Sequence, residues 1–96
     1  MSTDADEGFY ERADAHIQLS NQQLAEATRG RVSASMMFAL ARFNAWITAC
    51  GFESPEAMQA ARAETLDYFT EQYRQMLETN LDDYIANFDQ YMRAGE

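Results

Sequence analysis

Few residues of this chain have side chains that could carry out chemistry. His16 is the single imidazole and Cys50 the single thiol among 96 residues, whereas nucleophilic and metal-assisted catalysis need such groups in clusters. No Glu lies three residues before His16, so the di-iron motif of helical bundles is absent, and no Cys or His pair has zinc spacing. We expect His16 at a surface or boundary and Cys50 as a buried, inert thiol. The sequence indicates no catalytic residue, no cofactor and no metal site, and it favours a protein that is not an enzyme.

Arg42 is the most informative polar residue, because it lies near the middle of a run, residues 32–50, that is otherwise mostly apolar or small. A guanidinium on a buried helix needs a carboxylate partner, since a buried unpaired charge is strongly destabilising. The candidate partners are Glu78, Asp82 and Asp83. This pattern predicts a structural ion pair that fixes the register of the helices. The alternative is a polar pocket in which Arg42, Asn44 and Trp46 bind a small anion or support a minor enzymatic activity.

A second polar candidate is the basic cluster of Arg29 and Arg31, which flank Gly30 just before the apolar run. Helix N-termini bind anions through their free backbone N–H groups. Phosphate or a partner's carboxylate could therefore bind there with help from Ser33. A solvated turn is the competing interpretation.

Apolar residues recur every three or four positions along most of the chain, which is typical of amphipathic helices. The first predicted helix covers residues 9–27 and ends at Gly30, which can adopt the left-handed conformation. The second covers residues 32–50, and the third starts at Pro55 behind a Ser54 cap and runs to about residue 78. Asn80 is a candidate cap for a short fourth helix. Without that cap, the third and fourth helices would fuse into one rod.

These helices predict an all-α fold, an antiparallel bundle of three long helices plus a short C-terminal fourth helix. The second helix is apolar or small on several sides, so we expect it to be the central element, covered by its neighbours. A single domain is predicted over residues 1–96. Residues 1–8 are expected to fray, with Asp4 or Asp6 available as a helix cap.

The charge of the chain excludes several classes of partner. The net charge is −9 and all seven basic residues are Arg, which argues against nucleic acid and anionic membrane surfaces. Residues 32–50 are long enough to cross a bilayer, but Arg42 near their centre would cost about 2.5 to 3.5 kcal/mol there. The N-terminal segment is acidic where a secretory signal would be basic. We therefore expect a cytoplasmic protein.

Self-association is the expected mode of action. The chain has twelve aromatic residues and six Met, which is more apolar surface than a monomer of this size covers easily. The C-terminal helix presents Tyr84, Phe88 and Tyr91 as a candidate interface. The sequence therefore predicts a homodimer or higher homo-oligomer with a protein-interaction or regulatory role. It does not identify any other protein partner.

Several strings of residues resemble a known family. They are Gly30 to Ser33, the Ala-Arg-Phe-Asn-Ala string of residues 41–45, Tyr68, Phe69, Gln72, Tyr73, Met76, Leu77 and the Asn-Leu-Asp-Asp-Tyr string of residues 80–84. Together they resemble a proteobacterial family of small helical proteins of unknown function, over residues 9–91. The resemblance implies a bacterial protein and brings no activity, cofactor or catalytic residue with it.

Overall fold

The computed structural model describes residues 6–93, which form five α-helices and no strand. They are α1 (Phe9–Gln23), α2 (Arg29–Ala49), α3 (Pro55–Ala60), α4 (Arg62–Ala86) and α5 (Phe88–Arg93). The helices belong to two compact units, Met1–Glu53 and Ser54–Glu96. The predicted all-α class is confirmed, whereas the arrangement of the helices as one antiparallel bundle and the single domain over residues 1–96 stay predictions.

The first unit is a pair of helices, α1 and α2, joined by a short turn. The turn tightens through the bond from Leu24 N–H to the Asn21 carbonyl, 3.2 Å. Thr28 then caps α2, since its Oγ1 accepts the N–H of Arg31 at 3.3 Å. The two helices meet where Ser20 Oγ donates to Met36 Sδ at 3.6 Å. The Thr28 cap makes α2 begin three residues earlier than its apolar run.

Gly30 does not end the first helix, so that prediction is wrong. The helix ends at Gln23, and Gly30 is the second residue of α2. No glycine in the described part of the chain has a positive φ. The physical reason is the Thr28 cap, which starts α2 before Gly30 and leaves that glycine in ordinary helical geometry.

The second unit begins as the sequence predicts. Ser54 Oγ accepts the N–H of Ala57 at 3.1 Å, and Pro55 occupies the first helical position. The helix is interrupted at Ala61, after which α4 runs without a break to Ala86. Asn80 lies inside α4 and its Nδ2 donates to the carbonyl of Met76 at 2.8 Å. The predicted cap at Asn80 is therefore wrong because α4 is continuous there, whereas the fused rod that the sequence left as the alternative is itself broken at Ala61 and at Asn87.

Within the first unit, α2 is not the buried helix expected over residues 32–50, and its coverage by helices of the second unit stays a prediction. Val32 is the one buried residue among residues 6–93, at 6% exposure, and the rest of α2 is exposed or half-buried. Cys50, expected to be buried, is exposed. An apolar helix must be covered by several neighbours to lie buried, and in its own unit α2 has only α1 beside it.

Asp4, one of the two expected caps, lies outside the described residues. Asp6 accepts a hydrogen bond from Arg12 at 2.7 Å, and the Phe9 N–H donates to its carbonyl at 3.0 Å. The Arg12 guanidinium lowers the pKa of the Asp6 carboxyl below its usual value. Asp6 therefore contacts the first turn of α1 through its ion pair with Arg12, although Gly8 occupies the capping position.

Candidate functional site

One apolar surface, which we call the α2 face, runs along the second helix. Helical periodicity of 3.6 residues per turn groups its members on one side. The α2 face consists of Met36, Leu40, Phe43, Trp46 and Ile47, which are 39% to 61% exposed, and Met36 at its N-terminal end also contacts Ser20 of α1. The rings of Phe43 and Trp46 lie 5.8 Å apart between centroids. Large apolar side chains grouped in this way on a helix are typical of a contact surface.

A second apolar surface, the α4 face, follows the long helix of the other unit. Its members lie within about one third of the circumference of α4 by the same periodicity. The α4 face consists of Leu66, Tyr73, Leu77, Leu81 and Tyr84, which are 42% to 51% exposed. The half-buried residues Phe69 and Gln72 lie toward one side of it. The α4 face therefore spans nearly the whole helix and is as open as the α2 face.

The two helices carry opposite charge. Helix α2 contains three Arg and no acidic residue, whereas α4 contains six acidic residues and two Arg. The other Arg of the first unit, Arg12, already pairs with Asp6. The positive charge of the first unit is therefore concentrated along α2, in a chain whose net charge is −9.

The residues of the predicted polar site around Arg42 are exposed or half-buried in the first unit. Arg42 is exposed, and the ion pairs of residues 6–93 involve Arg12, Arg74 and Arg93 instead. Asn44 is half-buried, and its carbonyl accepts the hydroxyl of Thr48 at 2.7 Å. Trp46 is 61% exposed and belongs to the α2 face. The expected ion pair to Glu78, Asp82 or Asp83 and ligand binding by these residues stay predictions.

The candidate anion site lies at the start of α2. Arg29, Arg31 and Ser33 are exposed and occupy the first two turns of the helix. The Thr28 hydroxyl already accepts the N–H of Arg31, so one of the free donors of this helix end is used. Anion binding at this position stays a prediction.

The three aromatic residues predicted as an interface lie around the junction of α4 and α5. The rings of Tyr84 and Tyr91 are 4.7 Å apart between centroids, at an angle of 38°. The Tyr91 hydroxyl donates to Asp83 Oδ2 at 2.8 Å, and Asn87 Nδ2 donates to Asp83 Oδ1 at 2.9 Å. Phe88 is 53% exposed beside them. Asp83 therefore works as the acceptor that holds α5 against the end of α4.

This polar cluster was not predicted from the sequence, in which Asp83 was a candidate partner of Arg42. The spacing of its polar residues in the sequence could have indicated this cluster. Asp83, Asn87 and Tyr91 follow one another at intervals of four residues, which places their side chains on one side of a helix. The break at Asn87 gives α5 its own start while the four-residue spacing continues.

The hydrogen bond between the Tyr91 hydroxyl and Asp83 should affect the titration of Tyr91. The hydrogen bond to Asp83 and the charge of that carboxylate raise the pKa of Tyr91 above its ordinary value. The phenol of Tyr91 therefore keeps its proton and its hydrogen bond to Asp83 below pH about 10. The contribution of this bond to the free energy of unfolding is lost as the pH rises through the raised pKa of Tyr91. We expect the phenolate absorbance of wild type minus Tyr91→Phe to titrate above the ordinary range of tyrosine. Asp83→Asn should bring it back, and an unchanged difference titration in Asp83→Asn would contradict this assignment.

Other chemistry is not assembled in the described part of the chain. His16 and Cys50 are exposed, and no group of three or more His, Cys, Asp or Glu in residues 6–93 is placed to hold a metal ion. None of the five helices is both long enough and apolar enough to cross a bilayer. A shallow cavity is bounded by Ile85, Phe88 and Gln90, none of which belongs to the predicted polar site.

The geometry thus describes a small all-helical protein whose main surface features are two apolar faces on helices of opposite charge. Residues 9–85 match the family described as "Protein of unknown function (DUF3144)", and the chain belongs to that family. Among solved structures it is similar to the NMR structure of the protein NB7890A from Shewanella sp., with 48% identity and a TM-score of 0.77. That similarity covers 96% of this chain and 97% of that chain. No functionally curated protein matches the chain.

The comparisons confirm the resemblance that the sequence indicates, to a family of small helical proteins of unknown function. The family match begins at residue 9, as the resemblance does, and ends at residue 85. It contains the α2 face and the α4 face, whereas Phe88 and Tyr91 lie beyond it.

Proposed function

We propose that this chain is a non-enzymatic interaction module of the bacterial cytoplasm that associates with itself to form a homodimer or higher homo-oligomer. A regulatory role is compatible with such a module, and the assembled oligomer can also serve as a platform for a different protein. No nucleic acid or membrane surface is included among the partners, because the acidic net charge opposes both.

The observation that carries the proposal is the apolar surface that α2 and α4 each expose within their own unit. Apart from Val32, no large apolar side chain of residues 6–93 is buried. Interfaces of obligate oligomers are rich in apolar side chains of this kind.

The residues that supply this surface support the same function. The α2 face and the α4 face together hold ten large apolar side chains, all at least 39% exposed. Aromatic residues and Met are enriched at protein interfaces, and each face contains an aromatic residue near its centre, Phe43 in α2 and Tyr73 in α4. Leaving them in water would forgo about 25 cal/mol for each Å² of apolar surface.

The alternative of an anion-binding protein or minor enzyme with Arg42, Asn44 and Trp46 has no comparable support. Arg42 and Trp46 are open to solvent, and Asn44 is half-buried. A small-ligand site normally surrounds most of its ligand with convergent groups. The interaction module is therefore the better-supported function.

The test is the mass of the full-length chain in solution. Light scattering after gel filtration, at protein concentrations from about 1 to 100 μM, should give at least twice the chain mass of 11.0 kDa. Interfaces that bury as much surface as obligate oligomers do commonly hold at micromolar concentration. A mass of one chain throughout that range would contradict the proposal.

A further inference from the structure

The apolar face of α2 has a positively charged edge. Arg31 and Arg42 are eleven residues apart in α2, a separation of about three helical turns. Both therefore lie on the same side of the helix, next to Trp46 at the border of the α2 face. Both side chains are exposed, and neither belongs to an ion pair of the described residues.

The apolar face of α4 has an acidic edge with the same spacing. Asp67 and Glu78 are also eleven residues apart and flank the α4 face on one side by the same helical periodicity. Arg74 lies between them in the sequence and binds Glu78 at 3.5 Å, with both side chains at least 60% exposed. An exposed pair of this kind contributes little to stability, so Glu78 can exchange or share this partner.

The positions of the two charged edges determine whether α2 and α4 would pack parallel or antiparallel. Viewed from the N-terminus of each helix, the Arg edge lies counterclockwise of the α2 face, and the acidic edge lies clockwise of the α4 face. When two right-handed helices face each other in parallel, the counterclockwise edge of one meets the clockwise edge of the other, as for the e and g positions of a parallel coiled coil. In this orientation Arg31 meets Asp67 when Arg42 meets Glu78.

We propose that the α2 face of one chain packs in parallel on the α4 face of a second copy of the chain, with Arg31 beside Asp67 and Arg42 beside Glu78. A two-fold axis repeats this contact, so that the dimer contains two equivalent α2–α4 interfaces. This inference rests on the proposed function and names the surfaces that carry it. Two α2 faces would bring three Arg against three Arg, and two α4 faces would bring six acidic residues against six, so like-with-like pairing is disfavoured.

Charge reversal in two separate chains tests the contact. Arg42→Glu places Glu against Glu78, and Glu78→Arg places Arg against Arg42, so each variant alone should dimerise at least about tenfold more weakly than wild type. The two variants are then unfolded, mixed and refolded together. In the mixed dimer, one interface joins Arg42 to Glu78 as in wild type, and the other joins the introduced Glu to the introduced Arg. Both interfaces therefore pair opposite charges. The mixture should therefore recover the dimer affinity of wild type, as measured by sedimentation.

The control is Glu56→Arg, which reverses an exposed acid of the same unit in α3, away from Glu78 in the sequence and outside the α4 face. It should dimerise like wild type and should not rescue Arg42→Glu. The inference is overturned if either single variant dimerises like wild type. It is also overturned if the double variant Arg42→Glu/Glu78→Arg recovers while the mixture does not, because the pair would then form within one chain. A monomeric wild type would reject the proposed function itself. Either of the two outcomes above, in an oligomeric protein, would reject only the pairing of the α2 face with the α4 face.

Discussion

Phe43→Asp should convert the chain from an oligomer to a monomer at micromolar concentration. Phe43 lies at the centre of the α2 face and is 58% exposed in the single chain. A carboxylate in the middle of an apolar interface loses the contact of the ring and must also be desolvated without a partner. Central aromatic residues of interfaces commonly contribute about 2 kcal/mol or more, so the dissociation constant should rise by at least about 30-fold.

The same helix offers a matched control for this substitution. Met37 is 50% exposed in α2 and lies outside the α2 face, on the side away from Arg31 and Arg42, by helical periodicity. Met37→Asp introduces the same residue in the same helix without placing a carboxylate beside either Arg. Light scattering should give the oligomer for Met37→Asp and a single chain for Phe43→Asp.

The comparison between these two variants decides which side of α2 is used. Equal masses for both would remove the α2 face as the interface, even if the wild type is an oligomer. Circular dichroism of each variant should retain the helical signal of wild type. A loss of helix in Phe43→Asp alone would mean that Phe43 supports the fold of the chain and not its association.

Val32→Asp should unfold the first unit or strongly destabilise it. Val32 is the one buried side chain among residues 6–93, at 6% exposure, and lies in the first turn of α2. An unpaired carboxylate at a buried position costs about 3 kcal/mol or more. The helix dipole near the N-terminus favours a negative charge by about 0.3 to 1 kcal/mol, which offsets only part of that cost.

Met37→Asp is the control for this second substitution, because Met37 is 50% exposed on α2. An exposed substitution of this kind should change the free energy of unfolding by about 0.5 kcal/mol. Urea unfolding at one fixed protein concentration measures both variants, since the stability of an oligomer depends on concentration. A Val32→Asp variant as stable as Met37→Asp would show that the buried contact at Val32 contributes nothing to the fold.

Local signals in the sequence predicted parts of the structure well. The Ser54 and Pro55 start is present because a side-chain oxygen and a fixed backbone angle act within a few residues, independently of the rest of the fold. The predictions at Gly30 and Asn80 failed for a related reason. Both residues are tolerated at a helix end, but neither forces a helix to end there. The Thr28 cap therefore starts α2 before Gly30, and α4 continues through Asn80.

The sequence by itself determined the all-α class, the amphipathic faces, the charge of each helix and the family resemblance, because helical periodicity and composition are properties of short segments. Only the tertiary structure decided which residues are buried. Burial depends on what covers a helix, and a sequence that is apolar on several sides is equally suited to an internal core and to an interface. That is why the pattern that predicts a covered central helix is also met by α2, whose apolar face and arginines are exposed within the first unit.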